Sequence, residues 1–176
     1  MLALDILLQL VGAFYMLAGI VLARAVMFDR MLTRMADAIS PGAANSDTRD
    51  RARAAYSLVL AAMTFLSGLG LMSLCDVAVY LFIANMLLQA VFLFWVAPQY
   101  LDKADASQSK GRQQSTNALV VYSAATAFVT WAGSIGRLQP MAEASPLSLA
   151  MTASLAAVYF GYVAWMFVRW RIRRPR

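Results

Sequence analysis

Basic residues in this chain fall in alternate gaps between five apolar stretches, and that placement limits the fold more than any other feature. The stretches cover residues 5–27, 54–75, 77–97, 116–136 and 147–168. Arg30, Arg34, Arg49, Arg51 and Arg53 occupy the first gap, and Lys103, Lys110 and Arg112 the third. Arg169, Arg171, Arg173, Arg174 and Arg176 follow the last stretch. The second gap is essentially Asp76, and the fourth holds Arg137. This is the positive-inside pattern of a polytopic helical membrane protein. It predicts an all-α fold with five transmembrane helices in one integral-membrane domain over 1–176. The N-terminus is expected outside and the C-terminus in the cytoplasm.

Length and composition agree with that reading. Each stretch reaches the roughly 20 residues a helix needs to cross a hydrocarbon core of about 30 Å. The hydrophobic share is 61% and the charged share 14%, with a mean hydropathy of +0.63, well outside the habit of soluble domains. The net charge of +6 would suit nucleic acid if it formed a patch. It sits instead in the flanks of the apolar stretches, where it orients the chain and meets lipid headgroups, so no nucleic-acid partner is expected. The first stretch carries Asp5 where a secretory leader would be basic, and it is too long for a leader's apolar region, so an uncleaved first span is expected. A bias to arginine over lysine and richness in alanine suit the inner membrane of a GC-rich bacterium.

Cofactor chemistry is limited by what the chain lacks. It has no histidine and a single cysteine, Cys75. Histidine ligation of haem, copper, zinc or iron within the chain is excluded, as are a histidine general base and an internal disulfide. No cofactor held by side-chain ligation is expected, while contact with a lipid, quinone or pigment stays open.

Local signals refine the architecture. Arg24 lies inside the first stretch but near its cytoplasmic end, so it can snorkel to the headgroups, with Asp29 as a possible helper. Phe28, Met31, Leu32, Met35 and Ile39 repeat at helical spacing with Arg30, Arg34 and Asp37 among them. This predicts a short amphipathic helix after the first span, either on the membrane surface or packed on the protein's own spans. Ser40, Pro41 and Gly42 are expected to stop it. Cys75 and Asp76 form the one polar break between 54 and 97, which predicts a tight helical hairpin with Asp76 at the outer surface. Pro98 is expected to end the third span, and 99–115 to form a solvated cytoplasmic connection.

No ionisable group lies near the middle of a span, so an ion-coupled mechanism has no evident carrier. Uncharged polarity is present there. Asn85 and Gln89 share a helix face close to the bilayer centre, with Gln9 as a possible partner. Tyr122, Ser123, Thr126 and Thr130 add hydroxyls to the fourth span, where serine and threonine can satisfy their own backbone. Ala153, Ala157 and Gly161 line one face of the fifth span, and Ser57, Ala61 and Gly68 do the same in the second, a spacing that permits close helix contact. The candidate partner or ligand contacts are therefore Asn85, Gln89, Gln9, Thr126 and Thr130. Arg30, Arg34, Arg169, Arg171, Arg173 and Arg174 are assigned to lipid headgroups and topology.

No catalytic constellation emerges. The expected function is a non-catalytic accessory or structural subunit of a larger inner-membrane complex (respiratory, photosynthetic or transport), in contact with lipids and other membrane subunits. One alternative is a small homo-oligomeric permease or channel, in which Asn85, Gln89, Thr126 and Thr130 would converge on a polar path. Another is a membrane-surface signalling or recruitment module acting through the amphipathic segment and arginine tail.

Overall fold

In the computed structural model, residues 2–39, 47–101, 109–143 and 145–172 are described. They form helices α1 (Leu2–Ile39), α2 (Asp47–Met72), α3 (Val77–Val91), α4 (Ser109–Ser134) and α5 (Pro146–Ile172). A π-helical stretch, Phe92–Leu101, continues α3, and a short 3₁₀ turn covers Met141–Glu143. The protein is all-α and multi-pass in character. Among the described residues, four segments are long and apolar enough to cross a membrane: Leu2–Leu32, Ala52–Met72, Val77–Val96 and Pro146–Met166. The fourth expected span, 116–136, is not among them. Its helix is long enough, but α4 begins with polar residues and carries Ser123, Thr126 and Thr130 in its apolar part, which dilutes its hydropathy.

The amphipathic segment after the first span is not a separate helix. It continues α1 without a break to Ile39, because nothing between Met27 and Ile39 interrupts helical propensity. Phe28, Met31, Leu32 and Met35 are exposed along it, so this face is not packed on the protein's own spans. The expected stop at Ser40, Pro41 and Gly42 lies outside the described residues.

The closest packing in the molecule joins α1 to α2, and glycine makes it possible. A Cβ placed on Gly12 would lie 2.6 Å from the Met72 nitrogen and 2.7 Å from the Gly68 carbonyl oxygen. One on Gly19 would lie 2.7 Å from the Phe65 Cβ and 2.9 Å from the Ala61 oxygen. Lipid tails are as apolar as leucine, so helix association in a bilayer depends on this kind of van der Waals approach between backbones.

Helices α2 and α3 form the expected hairpin. The Cys75 amide bonds the Gly70 oxygen at 3.1 Å and the Leu74 amide the Leu71 oxygen at 3.0 Å, the paired bonds of a Schellman ending. The residue that must adopt left-handed backbone there is Leu74, at φ 52°. α4 closes in the same manner. Arg137 bonds Ala132, Gly136 bonds Gly133, and Gly136 sits at φ 71°.

The two connections then pair with each other. The Asp76 amide donates to Gln139 O at 2.9 Å and the Gln139 amide to Leu74 O at 2.8 Å, while the Met141 amide reaches Asp76 Oδ1 at 3.3 Å. The last turn of α4 is therefore fixed at the level of the α2–α3 turn. From there α4 packs against α3, burying Leu119, Tyr122, Thr126, Val129 and Ala132. Its opposite side exposes Val120, Val121 and Trp131.

The third span ends at Val96, just before Pro98 as expected, but the helix that carries it does not stop there. The helix passes through Pro98 to Leu101 by widening into π geometry from Phe92 onward. Proline lacks an amide hydrogen and crowds the carbonyl one turn back, and a wider turn relieves both defects. α4 also starts at Ser109, well before the expected boundary.

Candidate functional site: a buried polar node in the helix bundle

The core of the bundle draws Leu8 and Tyr15 from α1, Leu71 from α2, Ala78 and Phe82 from α3, and Tyr122, Val129 and Ala132 from α4. Three of these rings meet. Tyr15 stands edge-on to both Phe82 and Tyr122, with centroids 5.2 Å apart in each pair. Phe82 and Tyr122 lie nearly parallel at 5.4 Å. Offset and edge-on contacts of this kind add to the area that aromatic rings bury.

Beside the rings lies a small group of polar side chains. Asn85 is completely buried, and its Nδ2 donates to Thr64 Oγ1 at 3.0 Å. Thr64 passes its own hydrogen to the Leu60 carbonyl at 2.8 Å. Ser67, also fully buried, donates to Met63 O at 2.7 Å. The Tyr122 hydroxyl approaches Ser67 and Asn85, yet has no bond of hydrogen-bond geometry with either, and Asn85 Oδ1 has none. A buried hydroxyl and a buried carbonyl oxygen thus stand unpaired in one neighbourhood. Leaving such groups unmatched costs free energy, so this node is the least satisfied part of the core.

The other residues expected to join it do not. Gln89 is partly buried one turn beyond Asn85, and Gln9 is exposed on α1. The observed partner of Asn85 is Thr64 of α2 and not Gln9. Thr126 is buried but bonds the Tyr122 carbonyl at 2.9 Å, and Thr130 is exposed and bonds the Thr126 carbonyl at 2.8 Å. Both threonines satisfy their own helix, as such residues commonly do. No hydrogen bond joins the side chains of any two of Asn85, Gln89, Thr126 and Thr130; the first and third are buried, Gln89 is partly buried and Thr130 is exposed.

The charged candidates divide differently. Arg24 donates through Nε to the Tyr162 hydroxyl of α5 at 2.9 Å, a partner on another helix that the sequence did not indicate. Arg30 is partly buried and has a partner of its own. The side chains of Arg34, Arg169 and Arg171, and the whole of Arg173 and Arg174, lie outside the described residues. Among the described residues, no three acidic or cysteine side chains gather as a metal site would require.

α5 stands apart from this core. It touches α2 through Phe65 and Tyr159, whose rings stack at 3.9 Å, and through the Ser73–Thr152 hydroxyl pair at 2.7 Å. Only 6% of its apolar window is buried. Ala153, Ala157 and Gly161 are all exposed, and a Cβ on Gly161 would meet nothing within 4 Å.

Compared with protein-family models, with curated proteins and with solved structures, the chain matches none.

Proposed function

We propose that this chain is a non-catalytic accessory subunit of a larger inner-membrane complex. In this reading it crosses the membrane five times, with α4 as the fourth crossing and the arginine-rich C-terminus in the cytoplasm. The observation that carries the reading is the condition of α5. It is a 27-residue helix that is almost unburied, and its small-residue face is exposed, with no atom within 4 Å of a Cβ placed on Gly161 among the described residues, whereas the comparable glycines of α1 and α2 are all in backbone contact. A partner helix seated on Ala153, Ala157 and Gly161 would give α5 the packing it lacks here. The charge alternation supports the topology. The permease alternative is the weaker reading, because no hydrogen bond joins the side chains of any two of its four polar residues within one copy of the chain.

The test is gentle extraction from native membranes, then native-gel migration and mass spectrometry of what travels with the chain. Stoichiometric partners lost in Ala157→Leu and Gly161→Leu, with unchanged thermal unfolding of the isolated protein, bear the reading out. A wild-type protein that migrates alone, or as copies of itself, overturns it.

A further inference from the structure

A groove of about 550 Å³ opens on the outer surface of α1 where it approaches α5, walled by Val21, Ala25, Phe28 and Met31 with Met166 opposite. Its one charged lining residue is Arg24. Arg24 is exposed and lies within the apolar segment Leu2–Leu32, eight residues or about 12 Å from its end at 1.5 Å per residue. A guanidinium at that depth is costly unless it meets an anion or reaches the headgroups.

Arg24 has no ion pair among the described residues. Its single bond there is the one from Nε to Tyr162, which fixes the guanidinium against α5 and leaves the two terminal nitrogens as donors. That edge suits two oxygens of a phosphate. The walls are apolar and include three methionines, Met27, Met31 and Met166, an adaptable residue that conforms to irregular apolar occupants.

From this juxtaposition we propose that the groove binds an anionic phospholipid, with its phosphate on Arg24 and an acyl chain along the α1–α5 walls. Charge complementarity selects this occupant. A zwitterionic lipid presents the same phosphate but cancels its charge with a headgroup ammonium close to the guanidinium, and a soluble anion would make no use of Phe28, Met31 or Met166. The proposal does not depend on the subunit reading, because it concerns lipid and not protein contact.

The experiment is native mass spectrometry of detergent-purified protein after exchange with dioleoylphosphatidylglycerol or dioleoylphosphatidylcholine, which have the same chains and different head charge. One cation near a membrane surface favours an anionic lipid by about fivefold, and that preference is expected for the wild type. Arg24→Gln should abolish it, and Ala25→Trp should reduce retention of both lipids by filling the groove. Thermal unfolding checks that each variant folds, and if Arg24→Gln does not, Ala25→Trp together with Arg24→Lys carries the test. Equal retention of the two lipids by the wild type overturns the proposal. So does full preference in Arg24→Gln, or displacement of phosphatidylglycerol by soluble glycerol phosphate at equal concentration. A dimer that Ala25→Trp dissociates would also overturn it, in favour of a second copy of the chain.

Discussion

Gly12 and Gly68 face each other so closely that neither helix has room for a methyl group. A Cβ on Gly68 would lie 2.5 Å from the Gly12 carbonyl oxygen, and one on Gly12 would lie 2.7 Å from the Gly68 oxygen. The neighbouring contact, Gly19 against Ala61 and Phe65, repeats the arrangement further along both helices. This crossing sets the position of α2, from which the hairpin to α3 and the stacked contact to α5 follow.

Gly68→Ala or Gly12→Ala should therefore destabilise the bundle by about 1–3 kcal/mol, the usual cost of forcing extra volume into a packed site. Gly161→Ala, with open space around it, should change stability by less than about 0.5 kcal/mol. Thermal unfolding of the three variants in one detergent makes the comparison. Equal effects at Gly68 and Gly161 would contradict the crossing.

The glycine crossing was legible in part. Gly12 and Gly19 share a spacing of seven with Ala61 and Gly68, and two antiparallel helices with matched spacing can meet at both pairs. The sequence marks the small residues, but α5 carries a similar stripe, and spacing alone cannot decide which stripe meets which. The partner of Asn85 was legible by another route. Thr64 lies as far before Leu74 as Asn85 lies after Cys75, so folding the chain at the hairpin places them side by side. The π-helical passage through Pro98 had no comparable signal, because proline ordinarily ends a helix. The apolar stretches mark the spans directly, whereas the degree to which α5 is left uncovered depends on three-dimensional packing.

Tyr122→Phe should leave stability unchanged or slightly raised, since it deletes a buried hydroxyl that has no partner. Asn85→Leu removes the bond to Thr64, and interhelical bonds of this kind average about 0.6 kcal/mol in membrane proteins. A modest loss is expected, because Thr64 keeps its bond to Leu60. Chemical or thermal unfolding measures both. A loss above about 1 kcal/mol for Tyr122→Phe would show that the hydroxyl is bonded in the native protein.

Cys75 should be a slow thiol. Burial pushes its pKa up, and the Asp76 carboxylate pushes it further in the same direction. Below that raised value the thiolate fraction is smaller than in a free cysteine, so maleimide labelling near neutral pH should be slower and should recover as pH rises. Asp76→Asn should shift the profile of labelling rate against pH toward lower pH. An unshifted profile would mean that burial alone governs the thiol.

Removing Arg169–Arg176 tests the orientation assigned to the arginine tail. The truncated protein should fold, and its last helix should insert with mixed orientation, as reporter fusions at the new C-terminus would show. Uniform orientation with altered partner recruitment would instead mark the tail as a recognition element.

The number of crossings depends on α4, the helix with too little hydropathy to qualify as a span by composition alone. The most direct measurement uses a Cys75→Ser background with single cysteines placed at Lys110 and Glu143, labelled in intact and in permeabilised cells by a reagent that does not cross membranes. Five crossings predict that the cysteine at 143 labels in intact cells and the one at 110 only after permeabilisation. Labelling of both from the same side would mean that α4 does not cross, and would contradict the account.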